Sequence, residues 1–180
     1  MKSSKLRNIT AVLAKITQIV AFAGAAILLI FIIVCLVNGN VQDFVLTRNG
    51  DIVNMSIADV DLNKVNSDNI APLFIVSMLM GIFLLSVLGM ICRNVNRIFK
   101  KTNTESPFSS TNVSLIKQIG YLAISIPVVK LIVNIFVGVF TGDVLFGLEF
   151  SEVLFGLVIL CIAQYFAYGA TLEKDVEGLL

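Results

Sequence analysis

The chain has 180 residues, a formal net charge of +1, 57% hydrophobic residues and only 14% charged ones. Soluble domains carry about 25% charged and about 45–50% apolar residues, and a chain of this length cannot bury so much apolar surface and still show water a polar skin. With no His and no Trp, the usual Ser-His, Cys-His and His-metal centres are excluded, and the near-neutral balance argues against direct contact with nucleic acid, which needs a clustered basic face.

The sequence therefore reads as an integral membrane protein, and its apolar runs set the organisation. A hydrocarbon core of about 30 Å takes about 20 apolar residues per helix. Residues 16–37 carry no charge and predict a first helix over about 12–37. A signal-peptide core has about 7–15 apolar residues, fewer than this run. The small residues Ala23, Gly24, Ala25 and Ala26 lie in its middle, and Val34 before Cys35 does not suit lipoprotein processing. The segment is expected to stay as a helix.

The connection 38–69 follows. Asn49-Gly50 is the strongest short hairpin signal, because both central positions of the turn need φ > 0. Pairing around it sets Arg48 opposite Asp51, Leu46 opposite Val53 and Phe44 opposite Met55. The expectation is a β-hairpin with one apolar face, which either caps the helix ends or senses a ligand. Asp59, Asp61 and Asp68 lack the spacing and the Gly of a calcium loop and read as a solvated acidic stretch.

A second uncharged run predicts a helix over 70–92. The next connection opens with Arg93, Arg97, Lys100 and Lys101 and ends at Lys117. One reading is a topology signal attracted to anionic lipid, worth about 1 kcal/mol per basic residue near the surface. The other is a docking surface for a cytoplasmic protein, formed by Arg93, Arg97, Lys100, Lys101 and Phe108. Pro107 followed by Ser109, Ser110 and Thr111 predicts a turn capping a new helix near Ser109 or Ser110. The third helix is expected over about 113–140, with its span at 119–140, and the fourth over about 153–172. These runs are continuous, whereas strands of a membrane barrel alternate.

Lys and Arg in short flanks set the orientation. Lys2, Lys5, Arg7 and Lys15 precede the first span, and the middle connection is basic; 38–69 has only Arg48 and Lys64, and 141–152 has neither. Both termini and the middle connection are expected in the cytoplasm, with the acidic connections outside. The acidic tail (Glu173, Lys174, Asp175, Glu177) is a mild exception, since acids weigh little in this rule.

Lys130 stands in the third span. Counting from Ile119 at about 1.5 Å per residue puts it roughly 16 Å deep. A central Lys costs about 2.5–3.5 kcal/mol, and each Leu, Ile, Phe or Val returns about 0.3–0.6. The span holds fourteen of those, so insertion prevails. Pro127 frees the carbonyl of Ala123, Asn134 lies one turn along the same face, and Gln164 falls at a matching depth in the fourth span. The expectation is a buried polar cluster of Lys130, Asn134 and Gln164, joined by Tyr165 or Gln18. A Lys at membrane depth reads by default as a functional site, here one binding a small or lipid ligand or conducting ions; the other reading is interhelical glue with a snorkelling stem. With no acidic residue inside any span, a proton relay lacks its parts.

Small residues allow close helix approach. Ser77, Gly81 and Gly89 form one stripe, Gly138 and Gly142 a GxxxG pair, and Ala163, Ala167 and Thr171 another stripe. They suit packing within one bundle as well as a homo-oligomer. Tyr121, Tyr165 and Tyr168 collect toward the inner interface as an aromatic belt does. No phosphate-binding glycine loop, Cys pair or zinc-binding His-Glu motif occurs. Cys35, Cys92 and Cys161 are dispersed and read as free thiols. No catalytic residue, metal or cofactor is expected.

Two segments carry a resemblance. Ile98-Phe99-Lys100-Lys101, then Pro107-Phe108-Ser109 with Asn112, then Ile119-Gly120, is one; Ala163-Gln164-Tyr165-Phe166, Tyr168-Gly169-Ala170, Leu172-Glu173 and Asp175-Val176-Glu177-Gly178-Leu179 is the other. Together they resemble the YoaS-like family of small bacterial membrane proteins, built on a domain of unknown function. Motif-level similarity covers about a third of the chain, and Leu179 departs from a Thr common in family tails. The resemblance implies four membrane helices with cytoplasmic ends and pairing with a small helix-turn-helix transcriptional regulator. It brings no catalytic residues.

The combined expectation is an all-α integral membrane protein of the bacterial cytoplasmic membrane: one four-transmembrane-helix bundle over residues 1–180, with a β-hairpin in its first extracytoplasmic loop. The leading function is a non-enzymatic sensing or regulatory module working with a cytoplasmic regulator. The alternative is a small transporter or immunity-type protein acting on a peptide or lipid.

Overall fold

The computed structural model describes residues 2–38, 67–101, 106–141 and 150–177. They form four helices: α1 (Lys2–Asn38), α2 (Ser67–Lys101), α3 (Ser110–Thr141) and α4 (Phe150–Glu177). Each outruns the apolar stretch that predicts it. At about 1.5 Å per residue, the 37 residues of α1 reach about 55 Å, well beyond a hydrocarbon core of about 30 Å. The surplus turns are polar: exposed Lys5 begins the described side chains of α1, and Arg93, Arg97 and Lys100 stand exposed at the end of α2. Hydropathy marks where a helix leaves lipid; the backbone ladder continues as long as the residues favour it.

All four helices are long and apolar enough to cross a membrane, and their surfaces agree. Only 11% of the most apolar window of α1 is buried within the protein. Ile27, Val37, Val139 and Phe150 are 66%, 79%, 73% and 79% exposed. Water would tolerate no apolar surface of that extent on a monomer; lipid is the solvent it suits. The chain is a multi-pass membrane protein.

The fold class needs one correction. No strand occurs among the described residues; the fold there is all-helical, so the expected β-hairpin is withdrawn. Its Asn49-Gly50 turn lies outside the described residues. The signal was local, and a turn dipeptide does not supply the further strands or packing that a two-stranded hairpin needs in water. On the far side of that connection, Ser67, Asp68 and Asn69 extend α2, as residues of that type favour a helix start.

The chain divides into two compact units. In the first (Met1–Phe22, Ser86–Pro127, Glu149–Leu180), α1 buries Ala11, Ala14 and Ala21. The ring of Phe22 fills the space where a Cβ on Gly89 would lie, at 3.0 Å. α3 and α4 approach closely at a pair of glycines. A Cβ on Gly120 would stand 2.6 Å from Leu160, and one on Gly156 would stand 2.5 Å from the Ile124 side chain and 3.1 Å from its backbone nitrogen. Ala163 beside this crossing is fully buried. In the second unit (Ala23–Leu85, Val128–Leu148), Leu28 packs over Gly81 and Leu85 over Gly24. Phe31 meets Phe74 edge-on, with ring centroids 6.4 Å apart. Leu73, Phe74 and Val137 are buried. Gly81 and Gly89 of the small-residue stripe on α2 thus contact α1 of the same chain.

The glycine contacts differ in what can yield. Gly156→Ala drives a methyl into backbone as well as side chain, so it is expected to lower stability by about 1–3 kcal/mol. Gly24→Ala meets only the tip of Leu85, at 3.3 Å, and is expected to stay within about 0.5 kcal/mol. Thermal unfolding of the two variants in detergent checks this; equal melting temperatures would contradict it.

Candidate functional site at the turn between α2 and α3

Residues 106–109 form a β-turn closed by the Ser109 N–H donating to the Ser106 carbonyl at 3.1 Å. Pro107 occupies the second position, where its fixed φ is pre-set for such a turn. The Ser106 hydroxyl accepts from the Phe108 N–H at 3.2 Å and donates to Glu173 Oε2 at 2.7 Å. One side chain thereby shapes the turn and ties it to α4 through a charge-assisted bond.

Ser109 caps α3. Its carbonyl accepts from the Val113 N–H at 3.1 Å, and its Oγ accepts from the Asn112 N–H at 3.3 Å, the two marks of an N-cap. Of the two positions expected from sequence, Ser109 is the one used. Asn112, only 1% exposed, reaches back under the turn. Its Nδ2 donates to the carbonyls of Ser106 at 3.4 Å and Pro107 at 3.3 Å, while Oδ1 is buried without a hydrogen-bond partner.

Phe108 completes the attachment. Its ring lies 5.3 Å from that of Phe166, centroid to centroid, and covers Gly169, where a Cβ would come within 2.7 Å. The side chain is still 39% exposed. A cavity of about 250 Å³ opens beside it, lined among others by Ser109, Ser110, Ala167, Ala170, Glu173 and Lys174.

The end of α2 is two-sided. Arg93, Arg97 and Lys100 follow each other at helical spacings of four and three, and all three are exposed. Between them Asn94 and Asn96 are buried. The Asn94 amide donates to Gln118 Oε1 at 3.3 Å, and the Asn96 amide donates to the carbonyl of Ala11. These inward bonds fix the rotation of the helix and so turn the basic stripe outward. Lys101 ends α2, and its side chain lies outside the described residues.

The residues of the expected intramembrane cluster are placed as follows. Lys130 and Asn134 are half-buried, one turn apart on α3; Gln164 and Tyr165 are exposed on α4, Tyr165 to 78%. Gln18 is half-buried and accepts from Lys15 Nζ at 3.3 Å. The three cysteines are free, and among the described residues no group of three His, Cys, Asp or Glu converges.

Several participants carried no usable sequence signal. Glu173 lies 67 residues from Ser106, and Gly169 reads as an ordinary small residue of a membrane helix. For Asn112, the position three residues after an N-cap Ser is the one hint, since that is where a side chain reaches back over a helix start.

Comparison with protein-family models, with curated proteins and with solved structures finds no match to this chain.

Asn112 supplies a direct check of the turn. Asn112→Asp sets an acceptor against two carbonyl oxygens and is expected to cost about 1–3 kcal/mol. Exposed Thr111→Ala is expected to change stability by less than about 0.5 kcal/mol. An Asn112→Asp protein that melts with the parent would contradict the network.

Proposed function

We propose that the protein is a non-enzymatic membrane module that passes a signal to a cytoplasmic regulator through the outward stripe Arg93, Arg97 and Lys100. The observation that carries this reading is the two-sided end of α2. Buried Asn94 and Asn96 hold the helix, so three cations are presented together on one face. A pre-arranged stripe offers an acidic partner steering and register without the cost of ordering a loop. The turn that follows in the chain is held on α4 through Ser106–Glu173 and Phe108–Phe166.

The distribution of Lys and Arg supports placing this end in the cytoplasm, together with both termini, and the resemblance to the YoaS-like family supports a bacterial cytoplasmic membrane and a helix-turn-helix regulator as the partner. A second reading keeps one observation of its own. Lys130 and Asn134 lie half-buried one turn apart in an apolar helix, which suits a small transporter or immunity-type protein acting on a peptide or lipid.

Affinity capture from solubilised membranes separates the two. The parent protein is expected to retain a cytoplasmic protein whose recovery falls as salt rises. Arg97→Glu with Lys100→Glu is expected to abolish retention at unchanged melting temperature. Failure of the parent to retain any cytoplasmic protein would end this proposal. Lys130→Leu is expected to leave capture intact; loss of the protein's cellular effect in that variant, with capture intact, would favour the second reading.

A further inference from the structure

The cavity beside the turn lies wholly within the first compact unit, and the basic stripe does not use it. We propose that it holds the head group of a zwitterionic phospholipid, ethanolamine phosphate. Its volume of about 250 Å³ leaves room for a small head group.

Charge selects the occupant. Glu173 and Lys174 line the cavity together, so it offers one carboxylate and one ammonium. The lipid's ammonium is placed on Glu173, which already accepts from Ser106 and has lone pairs to spare. The phosphate is placed toward Lys174 and the hydroxyls of Ser109 and Ser110. Ser109 Oγ accepts from the Asn112 N–H, which leaves its own proton free to donate. A net-anionic head group would meet Glu173 without compensation, and choline offers that carboxylate no N–H.

Depth selects a lipid over a soluble phosphate ester. Glu173 and Lys174 are the first charges after the uncharged residues 153–172, and such residues sit at head-group level. Ala167 and Ala170, which also line the cavity, belong to the apolar run, where their small side chains leave room for the glycerol and the start of the chains.

The test uses the full chain in micelles, titrated with dioleoyl phosphatidylethanolamine, phosphatidylglycerol, phosphatidylcholine or water-soluble phosphoethanolamine, and reads the thermal unfolding midpoint. The ethanolamine lipid is expected to act at a concentration about tenfold lower than the other two lipids, the difference of a charge-assisted hydrogen bond, and the soluble ester to have no effect at that concentration. Glu173→Gln keeps an acceptor for Ser106 and is expected to erase the preference. Ala170→Leu, which fills the cavity, is expected to weaken the ethanolamine lipid about tenfold or more. A parent without preference, a soluble ester as effective as the lipid, or a preference that survives Glu173→Gln would each overturn the proposal. If Ala170→Leu does not fold, Glu173→Gln decides alone.

Discussion

A peptide group placed in hydrocarbon must find its hydrogen bond inside the protein, because an unpaired one costs several kcal/mol there. That constraint turns each apolar run of this chain into a helix and leaves the side chains to face lipid. It also disciplines the polar residues within the runs. The hydroxyl of Ser77 donates to the carbonyl of Phe74, that of Ser125 to Leu122, and that of Thr171 to Tyr168. Each satisfies itself on its own helix. α3 continues through Pro127, although proline deprives the carbonyl of Ala123 of its usual donor.

Lipid gives the helices no hydrophobic reason to associate, so close packing must do it. Gly120 and Gly156 bring α3 and α4 nearly to backbone contact, while at Gly89 the missing side chain makes room for the Phe22 ring of α1. Directional bonds become useful where the helices outrun the hydrocarbon. Asn94 to Gln118, Asn96 to Ala11 and Ser106 to Glu173 link separate elements at that end. The structure there is therefore a set orientation of side chains: cations outward from α2, the Phe108 turn held on α4, and a small cavity carrying both charges.

The four helices are legible in the sequence because lipid imposes a length and a composition, both one-dimensional properties. The helix extensions are less so, since the polar turns at Arg93 to Lys100 lose the apolar signal while keeping the backbone ladder. The cap at Ser109 was legible to within one residue, because capping is local chemistry. The Asn49-Gly50 signal failed as a guide to fold class for the complementary reason: a turn dipeptide specifies a bend and says nothing of the packing a hairpin requires. Of the site, the basic residues and Phe108 could be named from charge and position. Asn112, Glu173 and Gly169 could not, because their roles come from contacts between distant segments. Phe108 itself does more than expected, packing on α4 as well as bordering the open cavity.

The proposed topology has the chain cross the bilayer four times with its basic connection on the cytoplasmic side. Cysteine accessibility tests it most directly. After Cys35, Cys92 and Cys161 are replaced by Ser, single cysteines are placed at Asp59 and at Lys100 and treated with a membrane-impermeant maleimide. The account predicts labelling at position 59 in intact cells, and at position 100 only after permeabilisation. Position 100 labelled in intact cells with position 59 protected would contradict it.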